Sequence, residues 1–181
     1  MKRYLTIVMF FVLAVFMSTS CNNEAKKQEM IKQERLKRSL ERANRFLVKD
    51  EEEGIHDYIS RHKLDMVSTG TGLRYQVLYH GTGDTILPGQ LVTLEYTLKN
   101  IMGDVIYTSE NEGYKTFVVG HGDVESGIDE AVRYLHQGDV ALVIIPSHLG
   151  YGLLGDRKSI PGRATLFYMI KVVDVKDMSN Q

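Results

Sequence analysis

Cysteine, tryptophan and proline are scarce in this chain of 181 residues, which has one cysteine, no tryptophan and three prolines. Because a disulfide needs two cysteines, the chain cannot form one within itself. The formal net charge is −1, so the composition lacks the excess of basic residues that is typical of nucleic-acid-binding proteins. We therefore expect no nucleic-acid partner.

The sequence also lacks the common catalytic and metal-binding motifs. It has no G-x-S-x-G turn, no Cys-x-x-Cys pair and no H-E-x-x-H segment, which disfavours the usual hydrolase and zinc sites. Four carboxylates cluster near residue 125, at Asp123, Glu125, Asp129 and Glu130. At the start of a predicted helix they are more consistent with favourable charge–dipole interactions than with a metal site. We expect no metal and no cofactor.

The N-terminus lacks an apolar run long enough to span a bilayer, which takes roughly 20 residues. Its apolar run covers residues 4–17, follows the basic Lys2 and Arg3, and precedes small residues and Cys21. This layout predicts a secretory signal over residues 1–20. The cysteine is either incidental or, as the resemblance of this junction to a lipobox favours, the acylated first residue of a lipoprotein. The second interpretation places the protein in the cell envelope, on the periplasmic face of the outer membrane or else at the inner membrane.

Residues 21–66 are rich in charges of both signs, which predicts a helical spacer. Within it, Leu36, Leu40, Ala43 and Leu47 follow helical spacing and form a narrow apolar stripe. A new short helix is expected at Asp50. The stripe lasts less than two heptads, which favours a solvated spacer over a weak dimer formed through residues 36–47.

Residues 67–176 have the alternation and glycine-rich turns of an α+β domain, and residues 177–181 form a tail. Apolar alternation predicts five or six antiparallel strands, and the spacing over residues 128–136 predicts one short helix covering the sheet. Tyrosines are spread over these strands and loops, either to complete the core or to line an apolar ligand site. The predicted strands cover residues 73–79, 91–99, 105–108, 115–119, 141–145 and 166–175.

Several short segments, in their order and spacing, resemble the FKBP-type peptidyl-prolyl cis-trans isomerases. They are GQLVTLEYT from residue 89, FVVG from residue 117, GIDEAV from residue 127, IP at 145, GYG at 150, IP at 160 and ATLFY from residue 164. The resemblance covers about residues 72–175. It implies an antiparallel sheet wrapped around a short helix, with an apolar groove between them that binds proline-containing polypeptides.

The resemblance also implies roles for individual residues. Val124 would contact the proline ring, while the Tyr151 hydroxyl and the backbone N–H of Glu125 would donate hydrogen bonds to ligand carbonyls. The full set of implied groove residues is Tyr96, Ile106, Tyr107, Phe117, Val124, Glu125, Ile128, Tyr151, Ile160 and Tyr168.

The chain departs from the family pattern inside this set. Ile106 and Tyr107 stand where active members usually have Phe-Asp, and Ile128 stands where the tightest macrolide binders have tryptophan. Glu125 replaces a common isoleucine, and Asp156 replaces a histidine or small residue. We expect weak binding of macrolide inhibitors and a less efficient enzyme.

Two functions are compatible with the sequence. The first is a membrane-tethered prolyl isomerase that assists the folding of exported proteins. The second, suggested by Ile106 and Tyr107, is a non-catalytic chaperone or assembly subunit of an envelope machine. Lipid-anchored FKBP-type proteins also occur among the factors associated with gliding motility, and the small residues before Cys21 and the single C-terminal domain resemble those proteins. An unrelated α+β lipoprotein that mimics the pattern is the remaining alternative.

Overall fold

The computed structural model describes the backbone of residues 2–178 and the side chains of residue 4 and residues 24–178. The predicted lipidation site, Cys21, and the side chains of the apolar run therefore lie outside the described residues. By internal contacts the chain divides into two units, Met1–Asp50 and Glu51–Gln181.

One long helix, α1 (Lys2–His62), forms the N-terminal part of the chain. It continues through Asp50, so the expectation of a separate helix beginning there is wrong. Within residues 24–50 the apolar stripe is exposed at Leu36, Leu40 and Leu47. Within the residues that the structure describes, no helix is both long enough and apolar enough to cross a membrane.

Within the described residues, seven strands form one antiparallel sheet, which confirms the α+β class and the single-sheet architecture. The sheet order is β1-β2-β6-β7-β3-β4, with β5 also paired to β3. The strand beyond the predicted six is the two-residue β1, too short to show alternation. The strands are β1 (Val67–Ser68), β2 (Arg74–Tyr79), β3 (Gln90–Lys99), β4 (Val105–Thr108), β5 (Lys115–Val118), β6 (Val140–Ile145) and β7 (Leu166–Asp177).

Strands β4 and β5 share one edge of β3 end to end. β4 pairs with residues 97–99 of β3, and β5 pairs with residues 91–94. Between them lies the single-turn helix α2 (Ser109–Glu112), whose N-cap Thr108 accepts a hydrogen bond from the Asn111 backbone N–H. This interruption brings the side chains of both short strands to the same flank of β3.

Helix α3 (Ser126–Val132) covers one face of the sheet and buries Ile128, Ala131 and Val132. It is shorter than predicted, because residues 133–135 continue as tighter turns with hydrogen bonds to the third residue back. Gly127 permits the close approach of α3 to the sheet. A Cβ atom there would lie 2.4 Å from Cγ2 of Ile145.

The last turns of α1, residues 51–62, pack on the sheet within the second unit. Ile55 is fully buried against Ile144 and Phe167, with Tyr58 and Ile59 beside it. Glu51 accepts hydrogen bonds from the backbone N–H of Ser147 at 2.6 Å and from the hydroxyls of Ser147 and Thr165, both at 2.8 Å. These bonds fix both ends of the segment between β6 and β7, which carries Tyr151 and Ile160.

Candidate active site

Buried residues from β5, α3, β7 and the β6–β7 loop form the base of the candidate site. Phe117 of β5, Ile128 of α3 and Ile160 of the β6–β7 loop belong to one core cluster with Tyr168 of β7. Tyr96 of β3 packs against this cluster, with its ring centroid 5.9 Å from that of Tyr168. Side chains distant in sequence thus meet on one side of β3 and β7.

Four further residues of the predicted groove are half-buried and pack against the same core. They come from β4, from the approach to α3 and from the β6–β7 loop: Ile106, Tyr107, Val124 and Tyr151. Glu125 is joined to the core by a hydrogen bond from the Tyr168 hydroxyl. The other nine predicted groove residues belong to this core cluster or pack against it. Their roles toward a ligand stay predictions.

The side chain of Glu125 is the centre of a polar network inside this neighbourhood. Its carboxylate accepts two hydrogen bonds from Lys115 Nζ, at 3.1 and 2.9 Å, and one from the Tyr168 hydroxyl at 3.0 Å. The side chain is 6% exposed and that of Lys115 is 20% exposed. We call Glu125, Lys115 and Tyr168 the Glu125 network. The resemblance implies a backbone hydrogen bond from Glu125 to a ligand, and it does not predict this ion pair of the Glu125 side chain.

The pKa of Glu125 depends on two opposing effects, burial of the carboxylate and its interactions with neighbouring donors. Burial alone would raise it, but the Lys115 ammonium and the hydrogen bonds from Tyr151 and Lys115 outweigh burial and hold the pKa below its ordinary value. Burial and the same carboxylate raise the pKa of Tyr151 and Tyr168. The tyrosines therefore remain protonated donors, and Glu125 remains an ionised acceptor.

A second polar pair crosses from β4 to the β6–β7 loop. The Tyr107 hydroxyl donates to Asp156 Oδ2, and Asp156 Oδ1 accepts from the backbone N–H groups of Lys158 at 2.9 Å and Ile160 at 2.8 Å. Burial opposes ionisation of Asp156, but these hydrogen bonds lower its pKa. Tyr107, which stands where the family usually has aspartate, is thus hydrogen-bonded to a carboxylate of the β6–β7 loop.

The loop between β6 and β7 holds its shape through its own backbone. The Gly152 N–H donates to the Ser147 carbonyl at 2.8 Å, and the Arg163 N–H donates to the Gly152 carbonyl at 2.7 Å. The Asp156 N–H donates to the Ile160 carbonyl at 3.1 Å. Tyr151 and Ile160 are therefore held by a folded loop.

Sequence reasoning missed Lys115 and did not include Asp156 among the site residues. A signal for Lys115 was present, because residues two apart on a strand share a face and Phe117 of β5 was already in the set. For Asp156 the sequence marked the departure from the family pattern but gave no sign that Tyr107 would be its partner.

A separate cavity lies beside the candidate site. Its volume is about 290 Å³, and its lining residues come from β3, β4, β6, β7 and the first turn of α2. It shares Tyr96 with the predicted groove residues. Within the described residues, no group of three or more histidine, cysteine, aspartate or glutamate side chains is placed to hold a metal ion.

Comparisons of the sequence and of the fold with known proteins both point to one protein family. Residues 83–173 match the family model described as FKBP-type peptidyl-prolyl cis-trans isomerase. A probable FKBP-type peptidyl-prolyl cis-trans isomerase of Haemophilus influenzae is 32% identical over 117 residues, 65% of this chain and 48% of that protein. The FK506-binding protein 1B of Aspergillus fumigatus is 31% identical over 115 residues, 59% of this chain and 96% of that protein.

A solved structure shows the same relationship. The crystal structure of FkpA from Escherichia coli superposes with a TM-score of 0.61 and 27% sequence identity, covering 69% of this chain and 58% of that one. The chain thus spans about half the length of the Haemophilus protein and just over half that of the Escherichia structure.

Proposed function

The chain belongs to the FKBP-type peptidyl-prolyl cis-trans isomerase family, and we propose on that basis that it catalyses the isomerisation of X-Pro bonds in polypeptides. The observation that carries the proposal is the convergence of Tyr96, Tyr168, Phe117, Ile128 and Ile160 on one core, with Tyr151 at its edge. Aromatic and aliphatic walls with a few polar tips are the usual composition of a binding site for a small apolar ring.

The proposed reaction requires no covalent chemistry from the protein. Rotation about an imide bond breaks no covalent bond, but it must overcome a barrier of about 18–20 kcal/mol because the amide loses resonance. Without a catalyst the X-Pro bond takes tens to hundreds of seconds to isomerise. A site accelerates the rotation by binding the twisted bond more tightly than either planar form.

The proposed roles follow the placement of the side chains. Val124 is half-buried at the approach to α3 and would contact the proline ring, while Ile160 and the rings of Tyr96 and Tyr168 would exclude water from the rotating bond. A twisted imide is less conjugated and depends less on hydrogen bonds from water, so an apolar surrounding favours it over the planar forms.

A protease-coupled assay with a proline tetrapeptide, using the purified full chain, tests this function. We expect isomerisation well above the uncatalysed rate. Val124→Trp should fill the site and lower kcat/KM at least tenfold, because the larger side chain takes the space of the proline ring. Val67→Trp, at an exposed valine of β1, is the matched control and should leave the rate unchanged. Failure of the unmodified protein to accelerate the reaction would refute the proposal.

We also propose that Cys21 carries lipid and tethers the isomerase in the cell envelope, where exported polypeptides would be its substrates. The support is the N-terminal sequence alone: a basic start, an apolar run and small residues before a single cysteine. Two acyl groups on the protein would give stable anchoring. In a bacterial host, Cys21→Ser should move the protein from the membrane fraction to the soluble fraction. Retention of the variant in the membrane would show that lipid on Cys21 is not the tether.

A second candidate is a non-catalytic binding subunit of an envelope machine, such as one that serves gliding motility. The observation favouring it is the ion pair of Lys115 and Glu125, which places charge where a proline-binding site is expected to be apolar. Such a subunit would bind proline-containing segments without accelerating their isomerisation, so the tetrapeptide assay separates the two candidates.

A further inference from the structure

The β6–β7 loop, residues 146–165, supplies two side chains to the candidate site, Tyr151 and Ile160. The hydrogen bonds donated by the backbone N–H groups of Gly152 and Asp156 join parts of the loop to one another, so they give the loop its shape. They do not decide where the whole loop stands relative to the sheet. That placement depends on contacts between the loop and other elements.

Glu51 of α1 contacts both ends of this loop with one carboxylate. Its Oε1 atom accepts hydrogen bonds from the Ser147 backbone N–H at 2.6 Å and from the Thr165 hydroxyl at 2.8 Å. Its Oε2 atom accepts from the Ser147 hydroxyl at 2.8 Å. Ser147 is 6% exposed, so little water is available to replace these bonds. Because one oxygen atom receives donors from both ends, the carboxylate holds the end that follows β6 close to the end that precedes β7.

The packing of α1 on the sheet sets where this carboxylate lies. Glu51 and Ile55 are four residues apart and therefore lie on one face of the helix. Ile55 is fully buried against β6 and β7. The neighbouring Glu52 forms an ion pair with Arg74 of β2, whose side chain is 10% exposed. The last turns of α1 are thus attached to the sheet at two further points, and Glu51 reaches the loop from a fixed base.

The two anchored ends are directly connected to the side chains that the loop brings to the site. The Ser147 carbonyl accepts a hydrogen bond from the Gly152 N–H at 2.8 Å, and Tyr151 is the residue before Gly152. At the other end, Thr165 follows Ile160 by five positions. A displacement of either end would therefore move a side chain of the candidate site. A misplacement of about 1 Å in a site can lower a rate by about 100-fold.

We infer that Glu51 is a positioning residue of the proposed isomerase: it joins the two ends of the β6–β7 loop and thereby sets where Tyr151 and Ile160 stand. The inference rests on the proposed function, because it concerns the same site. Glu51 lies outside residues 83–173, the part of the chain that matches the family model. The last turns of α1 are therefore a working part of the isomerase, and their role extends beyond that of a spacer.

Three variants of the full chain test this role in the proline tetrapeptide assay. Glu51→Ala removes all three hydrogen bonds and should lower kcat/KM at least tenfold. Glu51→Gln should stay within threefold of the unmodified protein, because its amide oxygen can replace Oε1 and its NH₂ group can donate to the Ser147 hydroxyl. Glu52→Ala is the matched control, since it removes the adjacent carboxylate, whose partner is Arg74 of β2. It should change kcat/KM less than twofold.

The order of the loop supplies a second readout, which a general loss of stability in the folded protein would not move. The chain has no tryptophan, so Leu154→Trp, at a position of the loop that is 73% exposed, introduces a single fluorescent reporter. Each variant is measured with this reporter by time-resolved fluorescence anisotropy. Glu51→Ala should increase the amplitude of the fast motion, whereas Glu51→Gln and Glu52→Ala should leave it unchanged.

The two readouts separate this inference from the proposed function. If the unmodified protein does not accelerate isomerisation, the proposed function fails, and the anisotropy still decides whether Glu51 orders the loop. If the unmodified protein is active and Glu51→Ala keeps more than half of its kcat/KM, the inference is wrong. Equal losses in Glu51→Ala and Glu52→Ala, or a loss without greater loop motion, would also overturn it.

A smaller change keeps the inference testable if Glu51→Ala does not fold, as judged by circular dichroism. Thr165→Val removes only the hydrogen bond at the end of the loop and leaves a side chain of similar shape. It should lower kcat/KM at least threefold and increase the fast motion of the reporter. A smaller loss of activity, or unchanged motion, would refute the role of Glu51.

Discussion

Replacing Lys115 with methionine is expected to lower the free energy of unfolding by about 3 kcal/mol near neutral pH, because it leaves the buried carboxylate of Glu125 without its cation. The Glu125 side chain is 6% exposed, so water compensates little for the loss. The Tyr151 and Tyr168 hydroxyls would remain, but they supply dipoles in place of a full positive charge. Urea unfolding at pH 7, followed by circular dichroism, measures the change.

The loss should depend on pH in a defined direction. In the unmodified protein the pKa of Glu125 lies below its ordinary value, so its contribution is present above the unfolded-state pKa and is lost as pH falls through the folded-state pKa. In Lys115→Met burial dominates, and the folded-state pKa should rise above the unfolded one. The variant should therefore regain stability relative to the unmodified protein as the pH falls through that raised pKa.

The control for this experiment is Lys115→Met/Glu125→Leu. Its two replacements leave no buried charge, and a buried ion pair exchanged for apolar residues is often neutral in stability. We expect the double variant to be more stable than Lys115→Met alone. A Lys115→Met protein as stable as the unmodified chain at pH 7 would show that Glu125 does not depend on Lys115.

Gly155→Ala is expected to cost about 3 kcal/mol of stability, or else to rearrange the β6–β7 loop and reduce the proposed isomerase activity at least tenfold. Gly155 has φ +66°, and a Cβ atom there would lie 2.0 Å from the Ile160 carbonyl oxygen and 2.7 Å from the Pro161 carbonyl carbon. Both obstacles are backbone atoms, so no side chain can move aside. Because the next residue, Asp156, anchors Tyr107 and Ile160, a shift at Gly155 would displace one side of the candidate site.

The chain offers a closely matched control three residues away. Gly152 has φ +61°, but an added Cβ would meet nothing within 4 Å. Gly152→Ala should therefore cost only the left-handed backbone penalty, about 1 kcal/mol, and should retain most of the activity. Thermal unfolding of the two variants side by side, with the tetrapeptide assay, separates steric clash from backbone strain. Equal costs for the two substitutions would contradict the close approach of Gly155 to Ile160.

The local features of the fold were predictable from local sequence. Strands β2 to β7 match apolar alternation to within a few residues, because the period of two along a strand is visible in the order of the residues alone. The end of α3 was less predictable. Leu135 continues the helical pattern and is buried, although the α-helix itself ends at Val132. Burial of an apolar side chain does not require a particular hydrogen-bond pattern, so periodicity overestimated the helix.

By itself, the sequence determined the α+β class, the order of the elements and the family. The tertiary structure alone decided how the charges among them are compensated. Tyr168 reaches Glu125 across 43 positions of sequence, and Tyr107 reaches Asp156 across 49. The sequence shows that a carboxylate is present at Glu125. Only the register of β5, β3 and β7 decides that Lys115 and Tyr168 reach it, because a buried charge is stabilised by neighbours in space and not by neighbours along the chain.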